Sequence, residues 1–271
     1  MSVAAIKNDK KGARLLKKLK YKLAGALIGA LKRITPHRTH VAAIILAAGS
    51  GTRMGTDTTK QWLMLENEPL FIHSLRAFDA CRQVKEIILC VKADEMAMYR
   101  GVADKYGIKT PLTVIRGGAT RADSSLAGFK MITDKTTHVA IHDAARCLVT
   151  PKMIRSVISE AITYGAAAAA CKATDTVKIC NENGVVTDTP RRSSVWQAQT
   201  PQIFEAEIYR ASAYLALSDK IAVTDDCSLA EHAGFKVHLV DCGKENIKIT
   251  EPIDLYFASA ILKKRKDGSK K

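Results

Sequence analysis

Short apolar runs and helical stripes take turns along most of this chain. Val41–Leu46 (VAAIIL) is continuously apolar and feeds a glycine-rich turn, the pattern of a strand buried on both faces. Leu70–Ala80 has helical spacing, and Glu86–Val91 and Thr113–Ile115 read as the next two strands. Arg121–Thr133 is helical, Thr137–His142 a strand, and Pro151–Tyr164 a helix with proline in its first turn. Ala166–Lys172 reads as a strand despite its alanines, because it follows a helix and a Gly165 stop. Lys236–Val240 is a late strand and Pro252–Lys263 a closing helix. This alternation predicts an α/β fold, a mostly parallel sheet with helices on both faces.

One stretch departs from the alternation. Thr174–Ile179 and Val185–Thr189 are β-branched runs joined by Asn181-Glu182-Asn183-Gly184, whose Asn-Gly is a hairpin signal. A hairpin inserted into such a sheet has little of its own to bury, so 174–192 is expected to project as an arm and pack on another subunit.

Charge divides the chain differently. The formal net charge is +15, but residues 1–40 carry +10 and residues 263–271 carry +5, so the 25 basic and 25 acidic residues between them cancel. A neutral body argues against a specific nucleic-acid surface, although the basic ends would attract polyanions non-specifically. Three parts are expected: a basic extension (1–40), a globular domain (41–262) and a frayed basic tail (263–271). Within the extension, Leu15, Leu16, Leu19, Leu23, Leu27, Ile28 and Leu31 form one helical stripe between Ala13 and Arg33, crowded by lysines. Such a helix suits peripheral membrane contact, an organellar presequence or a partner surface, or else is a solvated extension. No apolar run approaches the ~20 residues that span a bilayer. The seven cysteines show no metal-type spacing and read as free thiols in a reducing, cytoplasmic setting, or an organellar one if the extension is a presequence.

Four constellations carry chemistry. Leu46–Gly55 (LAAGSGTRMG) followed by Lys60-Gln61 ends a strand in small residues, where backbone N–H groups can hold a phosphate chain, and Arg53 and Lys60 add fixed positive charge. It matches neither the Walker nor the dinucleotide fingerprint. In His142-Asp143-Ala144-Ala145-Arg146 an acid sits at a strand's C-terminal end, where open α/β sheets bind ligands. Asp143 is suited to hold a magnesium ion through water or to steer a nucleophile; His142 reads as structural, and Arg146 as a partner of Asp143 or a brace for the loop. Lys248, within an apolar strand (Ile247–Thr250), is costly to bury without an anion and is a phosphate ligand candidate. Arg191-Arg192 closes the hairpin ahead of Trp196–Gln202 (WQAQTPQ); an arginine there suits a substrate phosphate, or equally a solvated surface.

Taken in order, LAAGSGTRMG-x4-KQ, GG-x2-R-x2-S, HDAAR, DTVK, WQAQTPQ, TDD-x-S-x2-E and NIKIT resemble the 2-C-methyl-D-erythritol 4-phosphate cytidylyltransferase family of the non-mevalonate isoprenoid pathway over about residues 41–262. The resemblance implies a Rossmann-like nucleotidyltransferase fold, a homodimer joined through interlocking β-arms, CTP as donor and a divalent cation, usually Mg2+. Carried over by residue, Ala47, Ala48 and Gly49 cradle the nucleotide, and Gly118 and Ser124 read the cytosine. Arg53, Lys60 and Lys248 stabilise the transition state, while Asp143 and Thr200 position the polyol phosphate and ribose. Thr176 and Arg192 on the arm would reach the neighbouring subunit's site. Two departures stand out: Cys147 follows HDAAR where the family often has proline, and Ala119 follows Gly117-Gly118 where some members are polar. The alternatives are a ribitol-5-phosphate cytidylyltransferase and a catalytically silent nucleotide-binding homologue.

Overall fold

The computed structural model describes residues 39–49, 59–221 and 223–268. The expected helix of 13–33 and the cation Arg53 therefore lie outside the described residues.

Seven strands form the central sheet: β1 (Val41–Leu46), β4 (Val84–Val91), β5 (Leu112–Arg116), β6 (His138–Asp143), β7 (Ala166–Lys172), β10 (Trp196–Glu205) and β11 (His238–Asp241). Their order is β11-β7-β10-β6-β1-β4-β5. All neighbours run parallel except β10, which is antiparallel to both β6 and β7. Two small hairpins complete the strands, β2 (Met64–Leu65) with β3 (Glu68–Pro69), and β8 (Ile179–Cys180) with β9 (Val186–Asp188).

Alternate residues of β1 explain the layering, since successive side chains of a strand point to opposite faces. Val41, Ala43 and Ile45 face a core built with α1 (Leu70–Asp79), α2 (Met96–Lys105) and α4 (Pro151–Tyr164), through Phe71, Phe78, Tyr99, Ile154 and Ile158. Ala42, Ile44 and Leu46 face a second core with α3 (Arg121–Phe129), α5 (Ala206–Asp219) and α6 (Asp226–His232), through Phe129, Tyr209 and Leu229. A third cluster, Leu65, Leu70, Leu148, Ile249 and Ala258, seats α7 (Pro252–Gly268). The expected strands β1 and β7 and the helix α4 have the bounds read from the sequence. Thr150 caps α4, its hydroxyl accepting from Met153 N, and Gly165 ends it with φ +85°.

Several expectations need correction. The helix after Arg121 stops at Phe129 rather than Thr133. Ile247–Thr250 forms no strand; Ile249 N donates to Ala145 O in a single bridge to the loop after β6. The closing helix runs to Gly268, because Lys264 and Arg265 pair with Glu245 and Arg265 Nη1 donates to Leu148 O, so the basic end is fastened to the body over that length. The arm's paired part is shorter than expected, although its turn forms as read: Asn181 Oδ1 accepts from Asn183 N and Val185 N.

Candidate active site

The strand order reverses around β1, with β4 and β5 on one side and β6 on the other, and crevices at such switch points are where open α/β sheets hold ligands. The C-terminal ends of β1, β5 and β6 deliver Ala47–Gly49, Gly117-Gly118 and Asp143 to that edge. Ala47 N donates to Cys90 O at 2.7 Å and Ala144 N to Leu46 O at 3.0 Å, so the loop leaves β1 still zipped to both neighbours.

Gly117 and Gly118 need the absence of a side chain. A Cβ on Gly117 would stand 2.7 Å from Ala48 Cβ, and one on Gly118 2.2 Å from Asp123 Cβ. Gly118 N donates to Ser124 Oγ, which donates in turn to Thr120 O, both at 3.0 Å. Thr120 and Asp123 form a reciprocal capping box at the start of α3. The result is a rigid wall of backbone facing Ala48, with Ser124 as its internal brace.

The same end of the sheet carries a chain of alternating charges. Lys248 Nζ lies 2.7 Å from Asp143 Oδ2, Arg121 Nε lies 3.1 Å from Asp143 Oδ1, and Arg121 Nη1 lies 2.5 Å from Asp226 Oδ2. Burial pushes the Asp143 carboxyl up, but Arg121 and then Lys248 outweigh it and hold it well below the usual carboxylate range. Burial disfavours the Arg121 charge, yet Asp226 and Asp143 more than restore it. Lys60, in a short 3-10 turn, donates to Ile249 O at 3.3 Å, the residue after Lys248. Both described lysines of the expected trio thus reach one end of the sheet.

Thr200 supports this cluster from beneath. It is 4% exposed, and its hydroxyl accepts from Asp143 N and contacts His142 Nδ1, both at 3.0 Å. A hydroxyl has two lone pairs beside its one O–H, so Thr200 can serve His142 Nδ1 as donor or acceptor while still accepting from Asp143 N. Burial drives the His142 pKa down to about 3. Arg146 braces the loop, donating to Asn246 O at 2.8 Å and Ala198 O at 3.3 Å. Cys147 is buried beside Leu148 and Ile249, its thiol pushed up to about 12 by burial. Thr176 and Arg192 lie on the exposed arm, where Arg192 Nη1 donates to Thr174 O at 3.2 Å.

Among the described residues the donor set does not suit a resident divalent ion. Among the described residues no three His, Cys, Asp or Glu side chains cluster, and both Asp143 oxygens already meet cations. Mg2+ keeps several waters and is carried mainly by substrate phosphates in such sites, so a metal here would have to come with its nucleotide.

A family model described as IspD, 2-C-methyl-D-erythritol 4-phosphate cytidylyltransferase, matches residues 41–264. The chain belongs to this cytidylyltransferase family. It is similar to the 2-C-methyl-D-erythritol 4-phosphate cytidylyltransferases of Alkaliphilus metalliredigens (38% identical, covering 84% of this chain and 95% of the relative) and Caldanaerobacter subterraneus (38%, covering 83% and 100%). The crystal structure of 4-diphosphocytidyl-2C-methyl-D-erythritol synthase from Anaerococcus prevotii superimposes with a TM-score of 0.74 at 30% identity, covering 83% of this chain and 99% of that one. The Rossmann-like reading of the sheet and helices holds for this cytidylyltransferase. Sequence reasoning quoted the motifs containing Arg121, Gln202, Asp226 and Asn246 without assigning those residues a role. Asp225-Asp226 at the start of a short helix was their one visible signal, an acidic pair standing where a helix is capped.

Proposed function

We propose that this protein transfers CMP from CTP to 2-C-methyl-D-erythritol 4-phosphate, giving 4-diphosphocytidyl-2-C-methyl-D-erythritol and pyrophosphate. The observation that carries it is Asp143 at the sheet's switch point, ion-paired to Lys248, at the same end of the sheet as the tightly packed Gly117-Gly118, in a chain of this family. The wall suits a flat pyrimidine, with Gly118 and the Ser124 brace lining its edge and Ala47–Gly49 lying along the phosphates. An oxygen of the acceptor phosphate attacks the α-phosphorus in line. The new P–O bond forms as the bond to the β-phosphate oxygen breaks, and pyrophosphate leaves. That oxygen is already anionic near pH 7, so no general base is needed, and catalysis is alignment plus charge neutralisation. Lys60 and Lys248 supply that charge with Arg53, and Asp143 accepts hydrogen bonds from the acceptor's hydroxyls. Thr200 contributes by fixing the Asp143 backbone. Mg2+ enters as part of the nucleotide substrate.

The arm supports a dimer reading. Ile179, Val185 and Val186 are about half or more exposed on β8, β9 and their turn, an apolar set that a second subunit would cover, bringing Thr176 and Arg192 to the partner's site. In this reading the domain from 41 to 262 carries the chemistry, and the basic ends are appendages to it. The test is pyrophosphate release from CTP with 2-C-methyl-D-erythritol 4-phosphate and with ribitol 5-phosphate in parallel. Turnover with the first supports the proposal. Preference for ribitol 5-phosphate, or CTP binding without release, overturns it.

A further inference from the structure

The buried carboxylate of Asp226 has no place in the reaction above, yet it is tied to it. Asp226 is 1% exposed; its Oδ1 accepts from Tyr209 OH at 3.0 Å and its Oδ2 from Arg121 Nη1. Its position is set by β10. Gln202 Oε1 accepts from the backbone N–H of Asp226 and Cys227 at 3.0 and 3.1 Å, while Gln202 Nε2 donates to Asp225 Oδ2 at 2.8 Å. Gln202 in turn pairs with Ile141 on β6, two residues before Asp143. The two carboxylates are therefore held in fixed register on either side of one guanidinium.

A guanidinium beside a single carboxylate takes both oxygens through two parallel N–H bonds. Arg121 does not. It gives Asp143 only Nε and spends Nη1 on Asp226, while Nη2 is buried without a partner. Because of that split, Asp143 Oδ2 is left to Lys248. Without the Asp226 charge, the fork is expected to rotate onto both Asp143 oxygens and displace Lys248 from its station. We propose that Asp226 is a positioning residue for nucleotidyl transfer, dividing Arg121 between two carboxylates so that Lys248 stays registered on Asp143. This inference rests on the transfer reaction proposed above.

Steady-state pyrophosphate release by Asp226→Asn tests it, with CTP and acceptor varied separately. The expected result is a fall in kcat of about tenfold, within the span of coupling in one ion-pair network, with the KM for CTP unchanged within about twofold. Asp226→Glu, which restores the charge, should recover most of the loss. Adding Arg121→Gln to Asp226→Asn should raise kcat above the single variant, because the fork that captured Asp143 is gone. Should Asp226→Asn not fold, Asp226→Ser replaces it: a smaller neutral side chain leaves the Arg121 fork equally free to close on Asp143, and the same kcat loss is expected. Wild-type kcat in Asp226→Asn, or in Asp226→Ser where that stands in, overturns the proposal. So does a further fall in the double variant, which marks a purely structural pair. A wild type that turns over beside an unaffected variant sinks this inference alone, whereas a wild type without turnover removes both readings.

Discussion

Lys248 Nζ and Asp143 Oδ2 stand 2.7 Å apart across 105 residues of sequence, and the lysine side chain is still 38% exposed. A lysine held this way is aimed but not sealed, so it can meet a phosphate without leaving its counter-ion far behind. Lys60 approaches the same segment through Ile249 O.

Removing either amine should therefore act on the chemical step. Lys248→Ala and Lys60→Ala are each expected to cost about 2.7–4 kcal/mol of barrier, or about 10²–10³ in kcat, the loss seen when one transition-state donor is deleted. Asp143 keeps Arg121 in the first variant, so folding should survive. Rapid-quench measurement of CTP consumption checks this, and a variant retaining more than about a tenth of wild-type turnover contradicts it.

Crowding at the glycine wall should act on binding instead. A methyl on Gly117 meets Ala48 Cβ at 2.7 Å and Ser124 Oγ at 2.9 Å, neither of which is the end of a flexible chain. Gly117→Ala is expected to raise the KM for CTP by about tenfold or more with a smaller effect on kcat, the signature of lost ground-state binding. Gly101→Ala serves as control: nothing lies within 4 Å of the added methyl, and an exposed position inside α2 gains up to ~1 kcal/mol of stability from alanine. Equal KM values in the two variants would defeat the assignment of the wall.

Much of this was legible in residue order because strands and helices are local. The strand Val41–Leu46, the proline that opens α4 and the stop at Gly165 each depend on neighbours in sequence. Register across the sheet does not. β10 inserts antiparallel between β6 and β7, and that placement alone brings Thr200 under Asp143 and Gln202 onto the start of α6. The same limit hid Arg121: a basic residue beginning a helix reads as a solvated charge until Asp143 and Asp226, 22 and 105 positions away, are seen to share it. Lys248 was found for a partly mistaken reason. Its segment forms no strand, but its charge does meet an anion, the Asp143 carboxylate.

His142 gives the protein a pH-dependent stability of definite sign. Its pKa is lowered from 6.5 to about 3 by burial, so between those values the unfolded chain binds a proton that the folded one refuses. Stability contributed by the neutral ring is present above pH ~6.5 and is lost as pH falls below it, at up to about 1.4 kcal/mol per pH unit. Asp143 is silent in that window, since a depressed carboxylate withdraws its contribution only below its ordinary value of 3.8. Urea unfolding between pH 5 and 7 should show a shallower pH slope for His142→Asn, whose side-chain amide can still bond Thr200 as donor or acceptor. Identical slopes would show that His142 is charged in the folded protein.

Asn246 should matter more than its distance from the phosphates suggests. It is fully buried, and its Nδ2 donates to Gln199 Oε1 and Thr200 O, both at 2.9 Å, while its backbone carbonyl receives Arg146 Nη1. The amide thus joins the loop after β11 to the segment that holds Asp143 N through Thr200. Asn246→Ala strands two buried acceptors, each costing about 1–3 kcal/mol when left without a donor. Asn246→Asp is worse, because it turns a carboxylate toward the same two oxygens. Urea midpoints are expected to fall in the order wild type, Asn246→Ala, Asn246→Asp, with kcat falling alongside as Thr200 loosens its hold on Asp143. A lower midpoint with unchanged kcat would separate this brace from the site, and would mean that Thr200 keeps Asp143 in place on its hydroxyl alone.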